Sequence, residues 1–225
     1  MAPCQQTSIR LRIRGLVVEM SPSSKFWDRI ADRYSKNPVA DEAAYQHKLE
    51  VTRTYLRPDS EVLEFGCGTG STAISHSPHV RHIRAIDISA KMLEIAREKA
   101  DREGIENVTF EQLTIEDIEI PDQSLDVVLG LSILHLLENK EEAIAKVHLM
   151  IKLGGVFVTS TVCIGDTMKF FKIIAPVGKR LGLMPLLKIF TTDELVTSLT
   201  DAGFEIDHQW QPGKGKAVFI VAKKP

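Results

Sequence analysis

The chain has 225 residues, of which 44% are hydrophobic and 26% charged, so it can bury one sizeable core and is short for two. Its 28 Lys and Arg against 30 Asp and Glu give a net charge of -2, which provides no global positive field to hold a polyanion and argues against nucleic acid as a partner. No apolar run reaches the roughly 18 residues that cross a bilayer, and the three cysteines form no C-x-x-C pair, which fits neither a disulfide framework nor a zinc site and predicts a reducing, cytoplasmic setting.

The first 20 residues differ from the rest and are interpreted as an N-terminal extension, with residues 21–225 forming a single domain. The extension contains no acid before Glu19 and three arginines, Arg10, Arg12 and Arg14. An Arg-rich segment without acids is typical of a mitochondrial leader. The alternative is a flexible extension that precedes a functional chain starting at Met20.

Residues 21–57 predict a helical lead made of two helices. Pro22 suits the first position of a helix. Apolar and aromatic residues then recur at spacings of three and four, at Phe26, Trp27, Ile30, Ala31 and Tyr34. Asn37 and Pro38 interrupt this pattern, and a second helix is expected from near Asp41 until Pro58.

After this lead the sequence alternates between strand and helix patterns, which predicts a parallel sheet covered by helices on both faces. The strands are expected near 61–65, 82–87, 107–111, 125–130 and 155–161.

The last section departs from this alternation. Thr191 and Glu194 form a capping box, and Gly203 ends the helix that follows. Two β-like runs, 204–210 and 216–222, are joined by a short link that contains Pro and Gly, which predicts a hairpin.

Residues 61–70 are the most informative stretch of the chain, because a buried-strand pattern runs directly into Gly66, Gly68 and Gly70. Glycine has no Cβ and tolerates positive φ, so the backbone can turn from strand to helix while its amides face an open crevice. Asp87 ends the next apolar run, where a carboxylate can accept two hydrogen bonds from a ribose diol. Together these features predict a nucleoside-binding crevice.

The glycine spacing separates two cofactor classes. A dinucleotide fingerprint places its third glycine where this chain has Ser71. Glu64, two residues before Gly66, would repel a pyrophosphate and attract an α-amino group. The pattern therefore favours S-adenosyl-L-methionine, which carries an ammonium and a sulfonium, over NAD.

The stretch from Glu64 to Gly70, E-F-G-C-G-T-G, followed by Asp87-Ile88-Ser89, resembles motif I and the acidic second-strand motif of the class I S-adenosylmethionine-dependent methyltransferases. The resemblance covers roughly residues 22–224. It implies an α/β fold with a Rossmann-like, doubly wound, seven-stranded sheet that is mostly parallel and ends in an antiparallel C-terminal hairpin strand. The run from Asp87 to Leu93 and the Leu-His-Leu at 134–136 are most similar to quinone- and lipid-precursor methyltransferases.

The resemblance also implies roles for residues around the glycines. The backbone of Gly66, Cys67, Gly68 and Gly70 would face the methionine portion of the cofactor, and Glu64 would attract its ammonium directly or through water. Cys67 can alternatively be a small residue tolerated in a tight turn.

The remaining cofactor contacts are expected along the second, third and fourth strands. Asp87 would bind the ribose, its alternative being a helix cap, which Ser89 can supply. Ile88 and Met92 would flank the adenine, although Met92 also fits a core stripe. The aspartate that usually reads the adenine is absent, so Thr114, Ile115 and Glu116 are expected to replace it. Gly130 and Leu131, at the end of the fourth strand, complete the predicted set.

Two residues are candidates for catalysis. His135 follows the fourth strand, where the family frequently has a histidine that could remove a proton from a hydroxyl acceptor; packing or substrate shaping is the alternative. Tyr34 belongs to the helical lead, which often closes over the site in relatives. No Asn/Asp-Pro-Pro-Tyr motif and no aspartate cluster follows the fourth strand, which disfavours methylation of base amines and predicts a mechanism without a metal.

The segment 167–190 has five Lys or Arg, no acid and many large apolar residues. We expect a substrate lid here that suits an anionic or lipophilic acceptor, such as one taken from a membrane surface. The alternative is a pair of short packed helices.

The predicted function is methyl transfer to a small organic molecule. The alternatives are a cofactor-binding module without an acceptor site and an NAD-dependent oxidoreductase.

Overall fold

The computed structural model describes residues 10–13, 16–19, 22–37, 39–166 and 187–225. Within the predicted N-terminal extension, β1 (Arg10–Ile13) and β2 (Leu16–Glu19) pair antiparallel as a separate two-stranded sheet. Most of the predicted lid, 167–186, lies outside the described residues.

The helical lead consists of α1 (Pro22–Lys36) and α2 (Glu42–Arg53). As the sequence predicts, α1 starts at Pro22 and stops before Pro38, and Asp41 caps α2 by accepting a hydrogen bond from the backbone N–H of Ala44 at 3.1 Å. The second helix is shorter than expected, because it ends at Arg53 and residues 54–55 form a turn.

A seven-stranded sheet forms the centre of the fold and confirms the predicted architecture. Its strands are β3 (Glu61–Phe65), β4 (His82–Asp87), β5 (Val108–Gln112), β6 (Leu125–Leu131), β7 (Ile151–Thr161), β8 (Glu205–Trp210) and β9 (Val218–Lys223). Their spatial order is β5-β4-β3-β6-β7-β9-β8, with β3 to β7 parallel and β9 antiparallel to both β7 and β8.

The C-terminal hairpin, β7 and the helix before the hairpin can be compared with their predicted positions. The hairpin falls where predicted, but β7 begins at Ile151 rather than near residue 155 because Leu125 pairs with Ile151 before the register shifts. The capping box at Thr191 and Glu194 is present, and Gly203 follows the helix with φ of +97°.

The remaining helices cover both faces of the sheet, and two buried clusters mark those faces. One cluster joins Leu63 and Phe65 of β3 to α5 (Lys140–Met150) and α6 (Thr192–Asp201). The other joins Val62 of β3 to α3 (Ser71–His76) and α4 (Ala90–Glu103). Alternating residues of β3 thus pack into the cores on opposite faces of the sheet.

The chain order places a binding crevice between β3 and β6. From β3 the chain winds outward through β4 and β5, and then crosses back to β6 on the other side of β3. The connections therefore diverge at the carboxyl ends of β3 and β6, where doubly wound sheets bind ligands. In the part of the chain that the structure describes, no helix is both long and apolar enough to span a membrane.

Candidate functional site

The turn between β3 and α3 has three glycines in the left-handed region, with φ of +67° at Gly66, +53° at Gly68 and +73° at Gly70. A Cβ at Gly66 would lie 2.7 Å from the side chain of Ile133, and one at Gly70 would lie 2.9 Å from Ala96. A Cβ at Gly68 would meet no atom within 4 Å. Gly66 and Gly70 therefore allow close packing, whereas Gly68 borders open space.

Asp87 ties this turn to the end of β4. Its Oδ2 accepts a hydrogen bond from the backbone N–H of Gly68 at 2.8 Å, and its Oδ1 accepts one from the backbone N–H of Ser89 at 2.9 Å. Burial raises the pKa of the Asp87 carboxyl, and these backbone bonds oppose the rise. The carboxylate is thus fixed beside the glycine turn, as a ribose-binding role requires.

Ser89 takes the capping role that was the alternative for Asp87. Its Oγ accepts a hydrogen bond from the N–H of Met92 at 3.1 Å and donates one to Asp28 Oδ1 at 2.7 Å. Because Asp28 belongs to α1, this pair fastens the helical lead to the start of α4.

A pocket of about 370 Å³ opens at this edge of the sheet. It lies within the range of roughly 300–1,000 Å³ that is usual for small-molecule sites. Of the sequence-predicted residues it brings together Tyr34, Gly66, Gly68, Asp87, Ile88, Met92, Thr114, Ile115, Glu116 and Leu131. These residues share one pocket, and their contacts with the cofactor stay predictions.

Five predicted residues do not line this pocket: Glu64, Cys67, Gly70, Gly130 and His135. Gly130 is enclosed by aromatic rings, since a Cβ there would lie 2.5 Å from Phe65 and 3.0 Å from Phe157. The thiol of Cys67 is buried, which raises its pKa well above 9.0 and keeps it protonated.

Glu64 lies behind the glycine turn and is only 3% exposed. The pKa of its carboxyl is raised to about 8, chiefly by burial and also by the charge of Asp87, while a hydrogen bond from the backbone of Ala73 opposes the rise. Its Oε2 has no hydrogen-bond partner within the described chain. A buried acid with an unused acceptor fits a nearby ammonium group.

The two catalytic candidates occupy different environments. Tyr34 lines the pocket, with its ring 6.3 Å from that of Trp27 in an edge-to-face arrangement. Partial burial and then the charge of Asp87 raise its pKa, so its hydroxyl stays protonated at neutral pH.

The side chain of His135 is set back from the pocket, although its neighbours Ile133 and Leu136 line it. Burial lowers the pKa of the imidazole, and its Nδ1 has no partner among the described residues. The carbonyl of His135 accepts a hydrogen bond from the N–H of Lys188 at 2.8 Å, so this turn anchors the end of the predicted lid segment that the structure describes.

Sequence reasoning missed several pocket residues that lie at or beyond the carboxyl ends of strands, including Phe65, Leu113, Ser132 and Leu137. The apolar members read as core from their pattern alone. Ser132 has φ of +57°, an unusual value for a residue with a side chain, and no pattern in the local sequence predicts it.

The charge of the pocket bears on the cofactor. Its described lining includes the acids Asp87, Glu116 and Glu138 and no Lys or Arg. Such a lining suits an ammonium and a sulfonium and offers no cation to a pyrophosphate, so the residues present fit S-adenosylmethionine. Across the described residues, no group of three or more His, Cys, Asp or Glu is arranged to hold a metal ion.

Comparison with known proteins assigns the family. A family model described as a methyltransferase domain matches residues 56–210. The uncharacterized methyltransferase YcgJ of Bacillus subtilis is 33% identical over 109 residues, which are 48% of this chain and 43% of that protein, so the match spans less than half of the relative.

A longer match is to the demethylmenaquinone methyltransferase of Tropheryma whipplei, which is 28% identical over 193 residues, 81% of this chain and 77% of that protein. Among solved structures, the cyclase SpnF shares the fold with a TM-score of 0.73 at 19% identity, covering 90% of this chain and 95% of the other. The predicted family and cofactor are confirmed: the chain belongs to the class I S-adenosylmethionine-dependent methyltransferases.

Proposed function

We propose that this methyltransferase acts on a small organic acceptor that is lipophilic or anionic, and that it does so without a metal. The observation that carries the proposal is the composition of one pocket, whose lining combines polar and apolar groups. The backbone of Gly68 and the carboxylate of Asp87 are polar, while Leu131, Ile133 and Leu137 supply an apolar wall. A flat or aliphatic acceptor gains free energy by leaving water against such a wall.

When bound, S-adenosylmethionine supplies an electrophilic methyl group on a sulfonium. In this proposal Asp87 and the backbone of the glycine turn would hold the ribose and the methionine portion, and Glu64 would balance the ammonium, which the Gly68–Asp87 bond and the unpartnered Glu64 Oε2 support. The main task of the chain is then to align the acceptor and exclude water. An in-line displacement needs no metal.

The catalytic roles of Tyr34 and His135 belong to the proposal. Because its phenol stays protonated, Tyr34 is suited to donate a hydrogen bond to the acceptor rather than to remove a proton. His135 is neutral and can accept a proton, but its side chain must turn toward the pocket to do so. A nucleophile that is already ionised requires neither residue as a base.

The composition of the predicted lid supports the same class of acceptor. Residues 167–190 combine five basic residues with many apolar ones, which suits a lipophilic anion or one presented at a membrane surface. The demethylmenaquinone methyltransferase relative points in the same direction, since its named substrate is a lipophilic quinone.

The test is a panel of acceptors incubated with the full chain and methyl-labelled S-adenosylmethionine. It should contain a naphthoquinol, a long-chain fatty acid, a lipid amine and a short nucleic acid. Label is expected in an apolar, oxygen-bearing acceptor, with equal turnover in the presence of EDTA. Transfer only to nucleic acid, or complete loss of turnover with EDTA, would contradict the proposal.

The second candidate is a cofactor-binding module without an acceptor site. The fold does not fix the reaction, since SpnF, which shares it, is a cyclase. Tight binding of S-adenosylhomocysteine together with no label in any acceptor, including whole-cell extract, would favour this candidate.

A further inference from the structure

Lys48 of α2 is a partly buried cation that the cofactor site does not use. Its Nζ donates a hydrogen bond at 2.8 Å to Oγ of Ser160, which lies 112 residues further along the chain in β7. No carboxylate within the described chain forms an ion pair with it. Burial lowers the pKa of the ammonium, and the charge of Asp41 opposes this shift. An ammonium held by one neutral hydroxyl has unused capacity for an anion.

The Lys48 ammonium is connected through Ser160 to Ser132, a residue that lines the pocket. The carbonyl of Ser160 accepts a hydrogen bond from the N–H of Ser132 at 2.6 Å, and Ser132 lines the pocket. The positive φ of Ser132, +57°, turns the chain at the end of β6 toward this contact. Lys48 is therefore connected through Ser160 and Ser132 to the lining of the pocket, at the carboxyl ends of β6 and β7.

Tyr45 adds a second unused polar group on the same helical face, one turn before Lys48. Its hydroxyl is buried and has no hydrogen-bond partner within the described chain. It is close enough to raise the pKa of Tyr34, a residue that lines the pocket. A buried phenol without a partner costs free energy, which a bound ligand oxygen can recover.

We propose that Lys48 and Tyr45 form the acceptor subsite and recognise an anionic oxygen on an apolar acceptor, while Ser160 holds the Lys48 ammonium when no acceptor is bound. This inference rests on the proposed function and specifies it: the acceptor carries a phenolate, enolate or carboxylate oxygen next to the atom that receives the methyl group. The ammonium exchanges or shares its Ser160 bond with that oxygen, and the Tyr45 hydroxyl donates to it. Both groups bind and orient the acceptor, and neither exchanges a proton in the step.

A purely structural role for Lys48 would be to tie α2 to the sheet. In that case its removal would lower stability and leave the choice between charged and neutral ligands unchanged. The two roles are therefore separated by comparing ligands of the same shape that differ only in charge.

The experiment measures binding of 2-naphthoate and 2-naphthamide to the full chain saturated with S-adenosylhomocysteine, by calorimetry at low ionic strength. The unmodified protein is expected to bind the carboxylate about tenfold more tightly than the amide, as one charge-assisted hydrogen bond provides. Lys48→Gln should abolish this preference without changing the affinity for the amide. Lys48→Arg should keep most of it.

Two further variants make the test specific. Lys36→Gln removes an exposed lysine at the end of α1 and should keep the full preference. Ser160→Ala frees the ammonium from its internal partner and should keep or increase the preference. If Lys48→Gln unfolds, Lys48→Met of similar length takes its place.

No preference in the unmodified protein, or the full preference in Lys48→Gln, overturns the inference. Methyl transfer is measured on the same variants so that the two proposals fail separately. If an acceptor is methylated and its KM is unchanged in Lys48→Gln, the inference is overturned and the proposed function stands. A Lys48-dependent preference without turnover of any acceptor supports the subsite and counts against the proposed function.

Discussion

The carboxylate of Asp87 accepts a hydrogen bond from the backbone N–H of Gly68 at 2.8 Å, so the ends of β3 and β4 are joined by the group that is predicted to hold the ribose. The second oxygen accepts from the N–H of Ser89 at 2.9 Å. One side chain thus fixes two backbone segments that border the pocket. Its effects on stability and on cofactor affinity should therefore appear together.

Asp87→Asn tests this relationship. An amide can accept through only one atom, so either Gly68 or Ser89 loses its partner, and we expect unfolding to become easier by about 1–3 kcal/mol. The affinity for S-adenosylhomocysteine should fall at least tenfold. Urea unfolding and calorimetry provide the two measurements.

The control for this prediction is Asp101→Asn, which changes an exposed acid of α4 and should affect neither quantity. Retained cofactor affinity in Asp87→Asn, with lowered stability, would show that the carboxylate serves the turn alone.

Gly68 and Gly104 offer a matched pair of substitutions. Both have positive φ, +53° and +66°, and a Cβ at either position would meet no atom within 4 Å. Replacement by Ala should cost each about 1–2 kcal/mol of stability, because the left-handed conformation is unfavourable with a Cβ. Only Gly68 lines the pocket, so only Gly68→Ala should weaken binding of S-adenosylhomocysteine. Equal affinities in the two variants would place the cofactor elsewhere.

The local features of this fold could be predicted from the sequence. The turn of Gly66 and Gly68 and the capping box at Thr191 each depend on residues within a few positions of one another, and Asp87 is marked by its place at the end of the next apolar run. Such patterns can be recognised in the sequence, because glycine conformations and helix caps depend on residues that are close together along the chain.

Features that arise from long-range packing could not be predicted in this way. Gly130 matched a cofactor contact in the family pattern, yet the rings of Phe65 and Phe157 enclose it. The bond between Lys48 and Ser160 joins residues 112 positions apart, and no local pattern encodes it. The sequence therefore predicted the glycine turn and the acid that ends β4, whereas the contact between Lys48 and Ser160 could not be predicted from it.

Glu64 should release a proton when the cofactor binds. Its pKa of about 8 keeps most of the carboxyl protonated at pH 7, and a neighbouring ammonium favours the ionised form. Binding of S-adenosylhomocysteine at pH 7 should therefore release up to about one proton, and the affinity should rise with pH as far as about 8. Calorimetry in phosphate and in Tris measures this release, since the two buffers differ in ionisation enthalpy.

Glu64→Gln keeps the shape of the side chain and removes its titration. Its binding heats in the two buffers should differ only by the contribution of the ligand itself. The idea that Glu64 meets the ammonium fails if the unmodified protein gives the same buffer dependence as Glu64→Gln.

His76 should make the protein sensitive to mild acid. The residue is 1% exposed, and neither ring nitrogen has a hydrogen-bond partner in the described chain. Burial, together with the nearby charges of Arg53 and His79, lowers the pKa of its imidazole from 6.5 to about 3. Below pH 6.5 the unfolded chain binds a proton at this site that the folded chain does not bind.

Protonation therefore favours unfolding between about pH 6.5 and pH 3. By linkage, the contribution of His76 should lower the free energy of unfolding by about 2 kcal/mol between pH 7 and pH 5. His76→Leu removes this titration and should flatten the pH dependence by that amount, whereas His79→Gln, at an exposed position in the same segment, should not. Urea unfolding at both pH values decides the matter: if the two variants follow the same pH dependence, His76 is protonated in the folded protein and must have a partner there.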